Sequence, residues 1–194
     1  MANVFTPFGF RQTMGTGSAP TYEQVVAVVD SGASAIYFGD VVTRVAAGSV
    51  DAIAADVDPI AGIFVGCKYL STSQKRTVWS NYWPGTDSAY PVEAYIVNDP
   101  NAKFVVQSSG TGGVTLAMTG QNVAFDLGTG NDANGISGAF IDVTTVDVTA
   151  TLPFRIVGID SSMPPGSNGS SAGEYNYAIV AFNNVETKSL TGAV

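Results

Sequence analysis

Histidine is absent from this 194-residue chain, and cysteine occurs once, as Cys67. Without imidazole there is no Ser-His or Cys-His nucleophile pair and no usual zinc ligand. A single thiol can close neither an intrachain disulfide nor a thiolate metal site. Carboxylate-only, lysine-based and metal-carboxylate chemistries survive these exclusions, but no coherent set of acid, base and pocket emerges. The expectation is a protein that is not an enzyme and carries no cofactor. Cations are also scarce: eight Lys and Arg stand against sixteen Asp and Glu, for a formal charge of −8, and only Lys75 and Arg76 are adjacent. Neutralising phosphates needs clustered cations, so neither nucleic acid nor an anionic membrane is an expected partner. No window holds eighteen consecutive apolar residues, and the start has neither a basic nor a continuous apolar region of the secretory type. A soluble protein made in a cytoplasm is expected.

The chain is 45% apolar and 12% charged, enough to bury a core within one domain. Runs rich in Val, Ile, Phe, Tyr and Thr recur between Gly, Asp, Asn and Pro punctuation, a strand signature. Strands are expected at 24–29, 35–38, 41–45, 60–69, 77–82, 92–97, 104–107, 140–148, 154–159 and 175–182. That spacing predicts an all-β fold, a β-sandwich or small β-barrel. The runs at 63–65 and 156–157 are expected to be buried on both sides, Cys67 being a small buried hydrophobe at the end of the first. A short helical turn is expected at 114–118, residues 50–57 tolerate helix, and the glycine-rich stretches 128–135 and 163–173 are expected to be exposed loops. The expected organisation is an N-terminal arm at 1–20 followed by a single β domain at 21–194.

The opening segment places Phe5, Phe8, Phe10 and Arg11 around a break at Pro7 and Gly9. An apolar terminus with no strand or helix period must be covered by its own core or by a neighbouring subunit. Other constellations are weaker. Gly128, Gly130 and Ala133 have dinucleotide-fingerprint spacing but lack the strand and helix that motif needs. The same loop, with Asp126 or Asp142, offers oxygens for calcium. Asp51, Asp56 and Asp58 form a dense carboxylate run that reads as a solvated connection before the strand at Ile60. Trp79, Tyr82, Trp83 and Tyr90 cluster around Pro84 and Gly85. On one strand Trp79 and Trp83 would share a face and serve as core wall, intersubunit contact or sugar platform. Asn168-Gly169-Ser170 is a sequon that reads as a turn.

The order of segments carries more than any one of them. Residues 3–11 (Asn-Val-Phe-Thr-Pro-Phe-Gly-Phe-Arg) are followed by 37–42 (Tyr-Phe-Gly-Asp-Val-Val) and 59–67 (Pro-Ile-Ala-Gly-Ile-Phe-Val-Gly-Cys). Then come 79–84 (Trp-Ser-Asn-Tyr-Trp-Pro), Asp99-Pro100 with 104–107 (Phe-Val-Val-Gln), and 155–159 (Arg-Ile-Val-Gly-Ile). Over nearly its whole length the chain thereby resembles the head decoration, or cement, proteins of tailed bacteriophages. The resemblance implies a viral structural protein on the outer surface of the virion's icosahedral capsid, made in the host bacterial cytoplasm. Its partners would be the major capsid protein and further copies of itself, in a homotrimer or a dimer. It also implies a contact surface built from Phe5, Pro7, Phe8, Phe10 and Arg11, with Trp79, Tyr82 and Trp83 as a secondary aromatic contact. The alternative is a carbohydrate- or receptor-binding β module using the aromatic cluster.

Overall fold

The computed structural model describes residues 3–14, 24–52, 59–88, 91–110, 112–160 and 173–188. They form an all-β sandwich of two six-stranded antiparallel sheets. The first sheet runs β1 (Arg11–Met14), β8 (Lys103–Gln107), β12 (Tyr177–Phe182), β11 (Phe154–Ile159), β9 (Asn122–Asp126), β10 (Phe140–Asp147). The second runs β2 (Gln24–Val28), β7 (Glu93–Val97), β5 (Ile60–Leu70), β3 (Val41–Arg44), β4 (Val50–Asp51), with β6 (Thr77–Ser80) also paired to β5. A 3₁₀ turn at Leu116–Met118 falls within the expected helical turn.

Alternation explains the first sheet. Ala178, Val180 and Phe182 of β12, Phe104 and Val106 of β8, and Phe154 and Ile156 of β11 all point into one core. The outward Arg155 and Val157 between them are exposed, so 156–157 is buried on one side only and not on both as expected, because this strand packs on a core through one face. The sheet also turns back on itself. Ser108 bridges Ile141, and the Ser109 N–H donates to the Ile141 carbonyl at 2.9 Å, bringing the end of β8 to β10.

One end of the second sheet is buried on two sides. Ile60, Ile63, Val41 and Val97 face the first sheet's core. Ala61, Phe64, Cys67, Val42, Ala94 and Ile96 face a second core with Ile36, Tyr69 and Trp83. This sheet curls too, since Val29 bridges Val50 and the Asp30 N–H donates to the Val50 carbonyl at 2.8 Å. Strand β5 serves both cores because its pairing is interrupted, once beside β3 at Gly62 and once beside β7 between Phe64 and Gly66. Bulges shift the face that later side chains occupy.

Several boundaries differ from those expected. β1, β4 and β9 fall outside the expected strands: β1 carries almost no apolar signal and β4 is two residues long. Residues 35–38 are not a strand; Ile36 and Phe38 make isolated bridges to Trp83 and Ile136. Val50–Asp51 is extended rather than helical, residues 53–58 lie outside the described set, and so does most of 163–173. The opening residues are not held away from the domain, because β1 is an edge strand of the first sheet.

Candidate functional site

The N-terminal segment is fastened to its own domain. Gln107, 1% exposed at the end of β8, donates from Nε2 to the Val4 carbonyl (2.9 Å) and the Tyr175 carbonyl (3.1 Å), and its Oε1 accepts the Thr6 N–H (2.9 Å). One buried amide thus satisfies three backbone groups, in the way that interior polar groups must be satisfied. Asn3 adds a hydrogen bond to the Glu174 carbonyl at 2.7 Å.

The predicted contact residues separate into three environments. Phe10 is 1% exposed and stacks on Phe154 with centroids 4.4 Å apart, edge-on to Phe104 and Phe125. It is a core residue of the sandwich. Pro7 and Phe8 are half-buried, Phe8 lying edge-on to Tyr177, while exposed Arg11 projects over the rings of Phe8 and Phe38 at 5.3 and 5.9 Å. The guanidinium therefore meets aromatic faces of its own chain. Phe5 rests on Phe140 and Tyr175 but stays 42% exposed beside Val4 at 57%. Gly9 takes φ of +74°, and a Cβ there would come within 2.6 Å of the Ser137 Cβ, so only glycine lets the segment cross at this point.

The aromatic cluster does not form one platform. β6 ends at Ser80, so Trp79 and Trp83 do not share a face as expected: Trp79 is 68% exposed and Trp83 is buried edge-on to Tyr69. Tyr82 stacks on Tyr37 at 5.9 Å instead. Tyr90 lies outside the described residues. Trp83 lines a cleft of about 650 Å³ where β2 meets β4, together with Asp30, Ser31, Ser49 and Ser88. Its buried indole N–H has no acceptor among the described residues.

The glycine-rich loop after β9 has a structural task. The Tyr37 hydroxyl donates to Asp132 at 2.6 Å, Asn81 donates to the Asn134 carbonyl at 2.9 Å, and a Cβ on Gly130 would overlap the Tyr37 ring. The Asp132 carboxylate pushes the Tyr37 phenol up to about 12. No helix follows Gly128, Gly130 and Ala133, so the dinucleotide geometry is missing. Asp126 accepts the Gly128 N–H and Asp142 accepts from Thr144, local turns of the Asx kind. Among the described residues no three His, Cys, Asp or Glu side chains converge as a metal site would require. Asp51 accepts the Ala52 N–H and its carboxyl is raised by burial; Asp56 and Asp58 lie outside the described residues.

Two carboxylates unremarked in the sequence stand out. Asp40 is 4% exposed and accepts the Tyr37 N–H at 2.7 Å, and burial pushes it up to about 6. Asp87, at φ of +83°, accepts from Ser71, Thr72 and Ser73, which hold its carboxyl far below the usual range and tie the β5–β6 hairpin to the loop after Trp83. Cys67 is 1% exposed, its thiol donating to the Tyr82 carbonyl, and burial pushes it up to about 12.

Among the described residues, four exposed apolar side chains share the outward face of the second sheet. Trp79, Val26 (58%), Val28 (47%) and Leu70 (41%) are exposed on it, around a Lys68–Glu93 ion pair of 3.0 Å. Compared with known protein families, with curated proteins and with solved structures, the chain matches none.

Proposed function

We propose that the protein is a structural virion component that binds the outer surface of an icosahedral phage capsid and cements neighbouring capsomers. The observation that carries this reading is the pinned N-terminal tip: Gln107 holds the backbone at Val4 and Thr6 while Val4 and Phe5 stay exposed. A contact surface already ordered before binding avoids the entropy cost that a loose arm would incur. Burying the parts of Val4 and Phe5 that are still exposed would contribute on the order of 1–2 kcal/mol per site. Several copies on one assembly would raise avidity by about 10²–10⁴. Bridging then stabilises a shell by linkage, without chemistry. The order of motifs along the chain supports the same assignment, and the acidic charge of −8 favours the outside of a particle over its packed nucleic acid.

The test is cosedimentation with expanded, undecorated capsids. Deleting residues 1–12 would remove Phe10 from the core, so the informative variant is Val4→Ser with Phe5→Ser. We expect a folded protein with at least about tenfold weaker capsid binding, since two apolar anchors are lost. Unchanged binding would remove the N-terminal tip from the interface, and failure of the wild type to bind capsids would overturn the function.

One observation favours the carbohydrate- or receptor-binding alternative: the cleft beside Trp83, with an unsatisfied N–H, a carboxylate and three serines in its walls. Aromatic surface with a few polar groups is how sugars are commonly held. Saturable glycan-array binding abolished by Trp83→Phe would support that reading.

A further inference from the structure

The bare face of the second sheet carries its residues in register across four strands. Val28 of β2 lies opposite Glu93 of β7, Glu93 opposite Lys68 of β5, and Lys68 opposite Trp79 of β6. The row reads apolar, negative, positive, apolar. Beside it run Val26, Tyr95 and Gly66 in one row and Leu70 with Thr77 in another, so Glu93 and Lys68 are the only ionised groups on these rows. Toward the first sheet the same face is closed over by Ile63 and Val97. Toward Leu70 it is open.

We propose that this face docks against the same face of a second copy of the chain, forming a two-fold dimer. Turning the row by 180° about an axis parallel to the strands reverses its order. Trp79 of each copy then meets Val28 of the other, and Lys68 meets Glu93 at both central positions. Such isologous contacts need a surface complementary to itself, and a palindrome of sign satisfies that requirement with its own residues. The alternative axis, along the row, would set Glu93 against Glu93 and Lys68 against Lys68, and like charges across an interface are strongly disfavoured. Two sheets meeting in this way stack about 10 Å apart with their strands roughly aligned. Overall charge strengthens the choice. Copies bearing −8 repel at long range, so they can approach only where the surface is locally neutral, as it is where one cation and one anion adjoin. The inference goes beyond capsid binding and stands whatever the dimer attaches to.

The charge pattern supplies a test that protein folding cannot imitate. Lys68→Glu converts the row to apolar, negative, negative, apolar, and Glu93→Lys converts it to apolar, positive, positive, apolar. By sedimentation equilibrium of the full chain, the wild type should show a reversible monomer–dimer equilibrium. Each single variant should dimerise at least about tenfold more weakly, because like charges now oppose across the axis. An equimolar mixture of the two variants should recover a heterodimer, although neither variant has its internal ion pair. The double variant, with both charges exchanged, should dimerise like the wild type, and Trp79→Ser should dissociate the dimer while leaving the far-ultraviolet spectrum unchanged. A wild type that stays monomeric, an oligomer insensitive to both single reversals, or a mixture that stays monomeric would each overturn the proposal.

Discussion

The two ends of β5 make an instructive pair. At Ile60 and Ile63 the strand faces the first sheet and both side chains are essentially inaccessible. From Lys68 to Leu70 the corresponding face looks onto solvent, with Lys68 and Leu70 where the covered end has isoleucines. The opposite face hardly changes, since Ala61, Phe64, Cys67 and Tyr69 remain in the second core throughout. One strand therefore has an end covered on both faces and an end whose outer face is open to water. Their side chains differ accordingly, because a core rewards close packing whereas an open face must also keep the chain soluble.

Mutations that open the covered end should have the largest effects. Phe10→Ala, which removes the ring stacked on Phe154, should cost about 3–5 kcal/mol in denaturant unfolding, and Ile63→Ala about 2–5 kcal/mol. A loss below about 1 kcal/mol for Phe10→Ala would show that the N-terminal segment is peripheral after all.

Next comes acidity at the same end, where the Asp40 carbonyl accepts the Phe64 N–H. Asp40 titrates near 6 in the fold against 3.8 in the unfolded chain, so the native state holds this proton more tightly. Stability should rise as pH falls from about 7 to about 4, by about 3 kcal/mol in the limit. Further acidification should reverse the trend, because the carboxyls of Asp30 and Asp87 are lowered and lose their stabilising contacts on protonation. Asp40→Asn should flatten the curve between about pH 4 and 6, measured by urea unfolding across that range.

Removing the Gln107 clamp should be milder. Gln107→Ala leaves the Thr6 N–H and two carbonyls without their partner and should cost about 1–3 kcal/mol, with faster amide exchange at Thr6 as the local readout. The bare end should respond least: at concentrations where the chain is monomeric, Trp79→Ser should change unfolding free energy by no more than about 0.5 kcal/mol, as exposed positions usually do. A large loss there would erase the contrast between the two ends.

The fold was legible where composition and period agreed. Val-, Ile- and Phe-rich β5, β8, β10 and β11 stand close to their expected positions; the inward residues of β8 and β11 follow alternation, whereas two bulges break it in β5. β1 was missed because Arg-Gln-Thr-Met has no apolar period; only its place beside β8 makes it a strand. The split among the N-terminal aromatics was hidden for a related reason. Phe5, Phe8 and Phe10 are equivalent by spacing, yet Gly9 turns the chain so that Phe10 alone enters the core. Gln107 gave only a faint signal, a polar residue ending an apolar strand. The Val28, Glu93, Lys68 and Trp79 row gave none, since its members come from four strands and meet only through register.

The solitary thiol turns the second core into its own gauge. With Cys67 capped by the Tyr82 carbonyl and reluctant to ionise, an alkylating reagent should modify it only during moments when β5 and the segment after β6 part. The rate of that modification would then count openings of one half of the molecule, leaving the other half silent.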